Sequence, residues 1–389
     1  MSQLLESRWQ ETKDALLEGL QGNKRTVMAT TLENTRKYLA ESATAGATSA
    51  GNVATLNRVI LPVIRRVMPT VIANELVGVQ PMTGPVGQIH TLRVRYADNF
   101  TSTAGTSVTA GEEALSPFKI AEGYSGSAND KAASTAALEG RAGNRLSIQI
   151  LKQTVEAKTR KLSARWTFEA AQDAQAQQGI DIEAEIMAAL AQEITAEIDQ
   201  EVIASLNSLA GTVLTYDQSV LSGVATFVGD EHAALAVQIN RAANLIAQRT
   251  RRGAGNYAVV SPTTLTLLQS ATTSAFARTT EGTFEAPTNT KFVGTLNSAM
   301  KVYVNAYSTS DDVLIGYKGT SESDAPAFYC PFIPLMSSGV VLDPSTFEPV
   351  VSFMTRYGYV ELTNTASSLG NAADYLAKVT VTSANLRFA

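Results

Sequence analysis

The chain has 389 residues, of which 44% are hydrophobic and 17% charged, so it is long enough to bury a sizeable core. Its single cysteine, Cys330, excludes an intrachain disulfide and fits a reducing compartment. Charges interrupt the first twenty residues, and no run of about 18 apolar residues occurs, so we expect neither a signal peptide nor a membrane span.

The net charge of −5 hides a segregation of charge along the chain. Between Trp166 and Asn240 there are twelve acids and no Lys or Arg, which leaves 24 of the 36 acids against all 31 basic residues elsewhere. Two interpretations stay open: pairing within one chain, or complementary surfaces on neighbouring copies, where opposite charge sets the register. The candidate contacts between copies are Arg141, Arg145, Lys158, Arg160, Lys161, Glu193, Glu197, Glu201, Arg249, Arg251 and Arg252.

The first hundred residues divide into three parts. Residues 1–41 have a loosely helical spacing of leucines and form a separate unit that ends in Leu39-Ala40-Glu41. The tract 42–49 consists of small residues, which predicts a flexible linker or an extended arm. A helical stretch interrupted by prolines, a turn-rich passage and a strand are expected up to residue 98.

Residues 99–145 differ in composition, since Gly, Ser, Thr and Ala supply 27 of the 47 positions. Such a segment cannot bury enough apolar surface to offset an ordering entropy of about 1–2 kcal/mol per residue. We therefore expect it to be disordered or to lie against a partner.

Three further regions follow in chain order. In 146–211, strand-like alternation precedes a predicted helix over 181–208, roughly 40 Å long, with an apolar residue at every fourth position and an acidic opposite face. Residues 212–340 are predicted to form an α/β unit, in which a helix starting at Asp230 ends in arginines with Gly253 as its cap, and Ser261 caps a short helix. Residues 341–389 are predicted to be rich in strands.

The sequence lacks the residue patterns of common catalytic sites. His90 and His232 are its only histidines and are interpreted as structural, Cys330 as a buried apolar thiol. No His and Cys cluster has zinc spacing, no acidic loop has the calcium pattern, and no glycine-rich phosphate motif occurs in the right context. We expect no catalytic residues, no metal and no cofactor.

Five collinear stretches between about residues 55 and 360 resemble the major capsid proteins of tailed bacteriophages, in particular the T-even-type myovirus family. These stretches are Gly78–Met82 with Gly84–Gln88, Val155–Leu162, Arg252–Asn256, Gly316–Gly319, and Phe347–Val350 with Thr355–Gly358. The chain lacks the extra module that the T-even form inserts near its loop.

The resemblance implies an α+β fold of the Hong Kong 97 type, with an N-terminal arm, an extended loop, a peripheral domain with a long spine helix, and an axial domain. The implied division is 1–41 propeptide-like segment, 42–98 N-arm and start of the peripheral domain, 99–145 extended loop, 146–211 peripheral domain with spine helix 181–208, 212–340 axial domain, and 341–389 C-terminal peripheral strands.

The resemblance also implies removal of the N-terminal segment by a prohead protease that cuts after Leu-x-Glu or Ile-x-Glu. Leu39, Glu41 and the following Ser42 match this motif at the expected position. Leu4-Leu5-Glu6 and Leu16-Leu17-Glu18 match it too, so position rather than sequence favours Glu41.

The function implied is that of a self-assembling shell subunit of a phage head, made in the bacterial cytoplasm and located in the virion. The implied partners are copies of the chain in hexameric and pentameric capsomers, together with scaffold, prohead protease, portal and decoration proteins. The shell would enclose double-stranded DNA without sequence-specific binding. Two alternatives are an encapsulin-like nanocompartment shell, and a two-domain ligand-binding protein or enzyme.

Overall fold

The computed structural model describes residues 2–44, 71–101, 107–112, 114, 135–139, 144–178, 181–221, 228–271, 276–278, 291–297, 299–346, 348–363 and 371–386. Its helices are α1 (Ser2–Leu17), α2 (Gly22–Thr44), α3 (Ala73–Leu76), α4 (Thr135–Leu138), α5 (Phe168–Gln178), α6 (Ile182–Leu209), α7 (Gln218–Leu221), α8 (Val228–Thr250) and α9 (Pro262–Ser270). Its strands are β1 (Gly78–Val79), β2 (Val86–Tyr96), β3 (Phe100–Thr101), β4 (Ser107–Val108), β5 (Leu146–Glu156), β6 (Lys158–Arg165), β7 (Thr212–Tyr216), β8 (Tyr257–Val260), β9 (Phe276–Arg278), β10 (Lys291–Leu296), β11 (Met300–Val304), β12 (Val313–Gly316), β13 (Ala327–Ser337), β14 (Val341–Leu342), β15 (Pro349–Glu361) and β16 (Leu376–Val381).

The chain divides into two compact units. The first comprises Met1–Gly87, Thr154–Ile203 and Phe328–Val360, and the second comprises Gln88–Gln153, Ala204–Ala327 and Glu361–Ala389. Each unit is therefore assembled from three separate stretches of sequence.

A five-stranded sheet forms the centre of the first unit. Its order is β1-β13-β15-β14, and β6 also pairs with β15. The β6 and β15 strands are antiparallel from Val350↔Arg165 to Tyr357↔Lys158. Alternate residues of β15, including Val351 and Phe353, are buried, which is the period-two pattern of a strand with one face on a core.

The long helix α6 lies within one residue of its predicted bounds at each end. The apolar stripe that predicted it becomes buried along the helix, and the side chains of Ile194, Ile198 and Val202 are at most 2% exposed. The stripe therefore provides the packing surface that the four-residue spacing indicated.

Helices α1 and α2 belong to the first unit, whereas the leucine spacing predicts residues 1–41 as a separate unit. Val27, Met28 and Leu32 of α2 are buried. The amide nitrogen of Asn34 donates to the carbonyl oxygens of Met82 (2.6 Å) and Phe332 (3.1 Å). A helix with both a buried apolar face and a buried amide bonded to two carbonyls is part of the folded core.

The second unit contains a seven-stranded sheet of order β7-β16-β12-β8-β11-β10-β9. Leu235, Ile239 and Ile246 of α8 pack in one cluster with apolar residues of this sheet. The predicted Ser261 cap is present, because its hydroxyl accepts from the Thr264 N–H at 3.1 Å.

Two strands lie outside the regions expected for them. The β16 strand was grouped with the other C-terminal strands, but it pairs with β7 and β12 in the seven-stranded sheet. Its Val379 and Val381 join the cluster formed by α8, which explains this position. Conversely, all of β13 lies within the predicted 212–340 unit, yet it pairs in the sheet of the first unit.

Three of the five resemblance stretches meet in the first unit. The N–H of Ala157 donates to the carbonyl of Pro85 at 2.9 Å. A Cβ added at Gly358 would lie 2.3 Å from Cγ1 of Val155, closer than real Cβ contacts, and 3.4 Å from the sulfur of Met82. The absence of a side chain at Gly358 thus permits a close approach between distant segments.

The other two stretches meet in the second unit. The side-chain amide of Asn256 donates to the Lys318 carbonyl (2.6 Å) and accepts from the Lys318 N–H (3.0 Å). The end of α8 differs from expectation, because Arg251 rather than Gly253 adopts the left-handed conformation, with φ 51°. The Arg251 N–H donates to the Ala247 carbonyl at 2.9 Å, which is the bond of an αL cap.

Candidate functional site

Arg160 of β6 pairs with the acidic face of α6. Its guanidinium forms ion pairs with Glu197 and Glu201, and its Nε donates to the Tyr357 hydroxyl at 2.6 Å. That hydroxyl donates in turn to Glu201. Burial lowers the pKa of Arg160, but hydrogen bonds to Tyr357 and Glu201 outweigh burial and raise it overall. Three of the candidate contacts are therefore brought together within one chain.

Arg145 closes the base of the segment 99–145. Its backbone N–H donates to Asp98 at 2.8 Å, and its guanidinium contacts the same carboxylate at 3.2 Å. Hydrogen bonds from Arg145 lower the pKa of Asp98. This candidate is also paired within the chain, and the pair holds together the two ends of the segment.

The arginines at the C-terminal end of α8 have three different environments. Arg252 forms an ion pair with Asp324 at 2.8 Å. Arg249 lies in the last turn of α8, where a cation interacts favourably with the helix dipole. Arg251 is exposed at the cap.

The remaining charged candidates are not brought together by the structure. Lys158, Lys161 and Glu193 are exposed and form no ion pair with any residue that the structure describes. Arg141 lies outside the described residues. These exposed side chains keep open the interpretation of contacts with another copy.

The candidate cleavage residues Leu39, Glu41 and Ser42 lie on helix α2, which continues to Thr44. The expected linker therefore does not begin at Ser42; residues 45–49 lie outside the described part of the chain. The helix continues because Ala, Glu and Ser after Leu39 include no Gly or Pro to end it.

The strands β2 and β5 form a two-stranded ribbon with an exposed apolar face. Leu146, Ile148 and Ile150 alternate along β5, so they point to the same side, and they are 55%, 69% and 67% exposed. On the alternate positions, Gln149 accepts a hydrogen bond from Arg95, whose side chain is buried. Three large apolar side chains in a row on one exposed face are typical of an interaction surface.

Asp199 was missed by the sequence analysis, which treated the acids of α6 as one exposed face. It is 1% exposed and accepts a hydrogen bond from the Ile72 N–H at 2.8 Å. Burial raises its pKa to about 7, against the lowering effect of that hydrogen bond. Its burial could have been predicted from its position on the helix. Asp199 lies on the same side as Thr195 and Ile203, which are four residues away in either direction and are buried too.

Other titratable groups occupy structural positions. His232 is buried, and its Nδ1 lies 2.7 Å from the Ser270 hydroxyl. Cys330 is buried as predicted, and burial raises the pKa of its thiol to about 12. Among the described residues, no group of three or more His, Cys, Asp or Glu could hold a metal ion. No helix in the described part of the chain is long and apolar enough to cross a membrane.

The chain belongs to the major capsid protein Gp23 family, whose model matches residues 53–381. The major capsid protein of Vibrio phage KVP40 is 29% identical over 85% of this chain and 82% of its own length. That of Enterobacteria phage T6 is 30% identical, with 82% and 81% covered. Family membership makes the chain a structural component of the virion, where it forms the head shell, and neither alternative function is supported.

Solved phage structures are also similar to this chain. A structure of Microbacterium phage Oxtober96 matches with a TM-score of 0.46 at 10% identity, covering 79% of this chain and 90% of that one. The capsid of Myoviridae phage XM1 matches with a TM-score of 0.43 at 9% identity, covering 80% and 92%. The mixed helices and sheets described above confirm the expected α+β class, and the family confirms that the fold is that of a phage major capsid protein.

The buried carboxyl group of Asp199 makes the free energy of unfolding depend on pH. Its folded pKa of about 7 lies above the ordinary 3.8, so the folded state holds the proton more tightly between these values. Its contribution to stability is therefore greatest at acidic pH, falls by up to about 1.4 kcal/mol per pH unit, and is lost above pH 7.

We expect Asp199→Asn, which keeps the acceptor for Ile72, to match the wild type near pH 3, where Asp199 is largely protonated in both the folded and the unfolded state, and to exceed its stability at pH 8. Urea unfolding at both pH values measures the difference, with exposed Asp173→Asn on α5 as control. An Asp199→Asn effect that is equal at the two pH values would contradict this assignment.

Proposed function

We propose that this chain builds the shell as hexameric capsomers, with pentameric capsomers as a second form, and catalyses no reaction. The first unit would supply the peripheral domain with α6 as its spine helix, and the seven-stranded sheet of the second unit would supply the axial domain. Scaffold, prohead protease, portal and decoration proteins are the proposed partners. Assembly would take place in the host cytoplasm, around double-stranded DNA that is bound without sequence specificity.

The apolar face of the β2–β5 ribbon is the observation that carries this proposal. The two strands of the ribbon pair only with each other. The apolar side chains on its exposed face therefore stay in water unless a partner covers them. We propose that a neighbouring copy covers Leu146, Ile148 and Ile150. Burying each isoleucine would contribute roughly 1.5–3 kcal/mol.

Charged side chains would set the register of the contacts between copies. Lys158 and Lys161 are exposed on β6, and Glu193 is exposed on α6. We propose that these side chains face opposite charges on neighbouring copies, where complementary charge favours correct association and suppresses wrong contacts. Arg160, Glu197 and Glu201 have a partner within the chain and would contribute to the fold instead.

The ribbon contact is tested by the double substitution Ile148→Ser and Ile150→Ser. We expect sedimentation velocity to show a loss of species of capsomer size or larger, with at least a hundredfold weaker association, which corresponds to roughly 3 kcal/mol. The thermal unfolding midpoint should stay unchanged because both side chains are already exposed. Val237→Ser, at a valine that is 65% exposed on α8, is the control. Wild-type sedimentation of the double variant would count against the ribbon contact.

The charge contact is tested by comparing Glu193→Gln with Glu201→Gln. We expect Glu193→Gln to weaken assembly and to reduce its dependence on salt concentration, without changing the stability of the subunit. Glu201→Gln should instead lower subunit stability, by less than about 1 kcal/mol because the pair with Arg160 is partly exposed. Unchanged assembly and salt sensitivity of Glu193→Gln would contradict the proposed contact.

Removal of residues 1–41 is tested by the intact mass of the subunit from mature particles. We expect a subunit that begins at Ser42, and we expect Glu41→Gln to abolish this cleavage. The control is Glu18→Gln, which changes a second match to the motif and should leave cleavage unaffected. A mature subunit that still carries residues 1–41 would refute the proposal.

A further inference from the structure

The strand β7 forms one edge of the seven-stranded sheet and pairs with β16 alone. In this parallel pair, the Thr382 N–H donates to the Tyr216 carbonyl at 3.0 Å, so the backbone groups of Tyr216 face β16. Because alternate residues of a strand turn their N–H and C=O groups to opposite sides, those of Val213 and Thr215 face away from β16. Within the described part of the chain, these groups have no hydrogen-bond partner.

The composition of β7 leaves this edge unprotected. Its sequence, Thr-Val-Leu-Thr-Tyr, has no charge and no proline, and it is rich in residues that favour strands. The Val213 side chain is 60% exposed. Natural proteins usually block a free edge with charged residues, prolines or very short strands, because an open edge is a template for another chain.

The other edges of the five-stranded and seven-stranded sheets carry such devices. The β6 strand has four basic residues, and Pro81 closely follows the two-residue strand β1. The β14 strand has only two residues, and β9 has three and ends in Arg278. The contrast marks β7 as the edge of these two sheets that is open to pairing.

We propose that β7 is an interaction strand, on which a strand of a second copy of this chain extends the seven-stranded sheet. The proposal rests on the proposed self-assembly, which supplies the second copy as the occupant. The added strand would bond the outward N–H and C=O groups of Val213 and Thr215 and cover the Val213 side chain. Main-chain hydrogen bonds would give affinity in this mode, as in other cases of strand addition.

The alternation of the strand allows a sharp test with the full chain. Thr215→Pro removes only an outward donor and leaves the ladder with β16 intact, since proline is tolerated where the N–H faces away from the sheet. Val213→Lys places a charge at the edge without altering the backbone. The matched control is Val237→Lys, because Val237 is 65% exposed in the same unit.

Sedimentation velocity and amide hydrogen exchange measure the outcome. We expect both edge variants to need at least tenfold more protein for half-assembly, with unchanged thermal unfolding midpoints and a control that behaves as wild type. In the wild type, the amides of Val213 and Thr215 should become protected from exchange only in the assembled form.

Three results would overturn the inference, and they can be told apart. Wild-type protein that remains a 41.3 kDa monomer under all conditions would remove the proposed self-assembly and the edge contact with it. Wild-type protein that assembles while both edge variants assemble equally well and the two amides stay unprotected would overturn the edge contact alone. Protection that appears only when a different protein is added would likewise overturn the second copy as the occupant.

Discussion

The antiparallel pairing of β6 with β15 is the constraint on which the first unit depends. It joins segments that are far apart in sequence, and its register sets Arg160 opposite Thr355, two residues before Tyr357. The Tyr357 hydroxyl can then accept a hydrogen bond from the Arg160 Nε and donate one to Glu201 of α6. A slip of one residue would turn the fully buried Phe353 to the other face of the sheet, so the buried core and the charge cluster require the same register. The absence of a side chain at Gly358 lets Val155 approach the end of this pairing.

Local patterns predicted the elements of the fold well, and they predicted its strand partners poorly. The bounds of α6 and the Ser261 cap followed from residue spacing and cap chemistry, which act within a few residues. The membership of β16 could not be predicted in this way. Its alternation is the same in either sheet, and its place between β7 and β12 depends on side chains of α8 that are distant in sequence. The left-handed Arg251 shows the same limit at short range, because the glycine two residues later was the better candidate by propensity alone.

The charged residues show what a sequence can say about a site. Segregation of charge along the chain left two partners open for Arg160, the acids of its own chain or those of another copy, because spacing along the chain carries no information on which copy supplies the partner. Geometry assigns Arg160, Arg145 and Arg252 to partners within the chain and leaves Glu193 and the two lysines of β6 exposed. Asp199 belongs to the same acidic helix but to a buried row. Composition alone could not separate it from its neighbours, whereas its position between Thr195 and Ile203 could have done so.

The contacts of α2 with the first unit bear on whether the proposed cleavage of residues 1–41 comes before or after assembly of the shell. The amide of Asn34 bonds the carbonyls of Met82 and Phe332, and Asn23 bonds the carbonyl of Val79 at 3.2 Å. The proposed removal of residues 1–41 would take away these donors together with the buried side chains of α2. A buried group left without its partner costs about 1–3 kcal/mol. An isolated subunit would lose that stability outright, whereas a subunit in a shell can regain it through contacts with its neighbours. If residues 1–41 are removed as proposed, cleavage after assembly would therefore be the favourable order, and a helix that runs through Glu41 to Thr44 would oppose early cleavage because a protease needs the segment unwound.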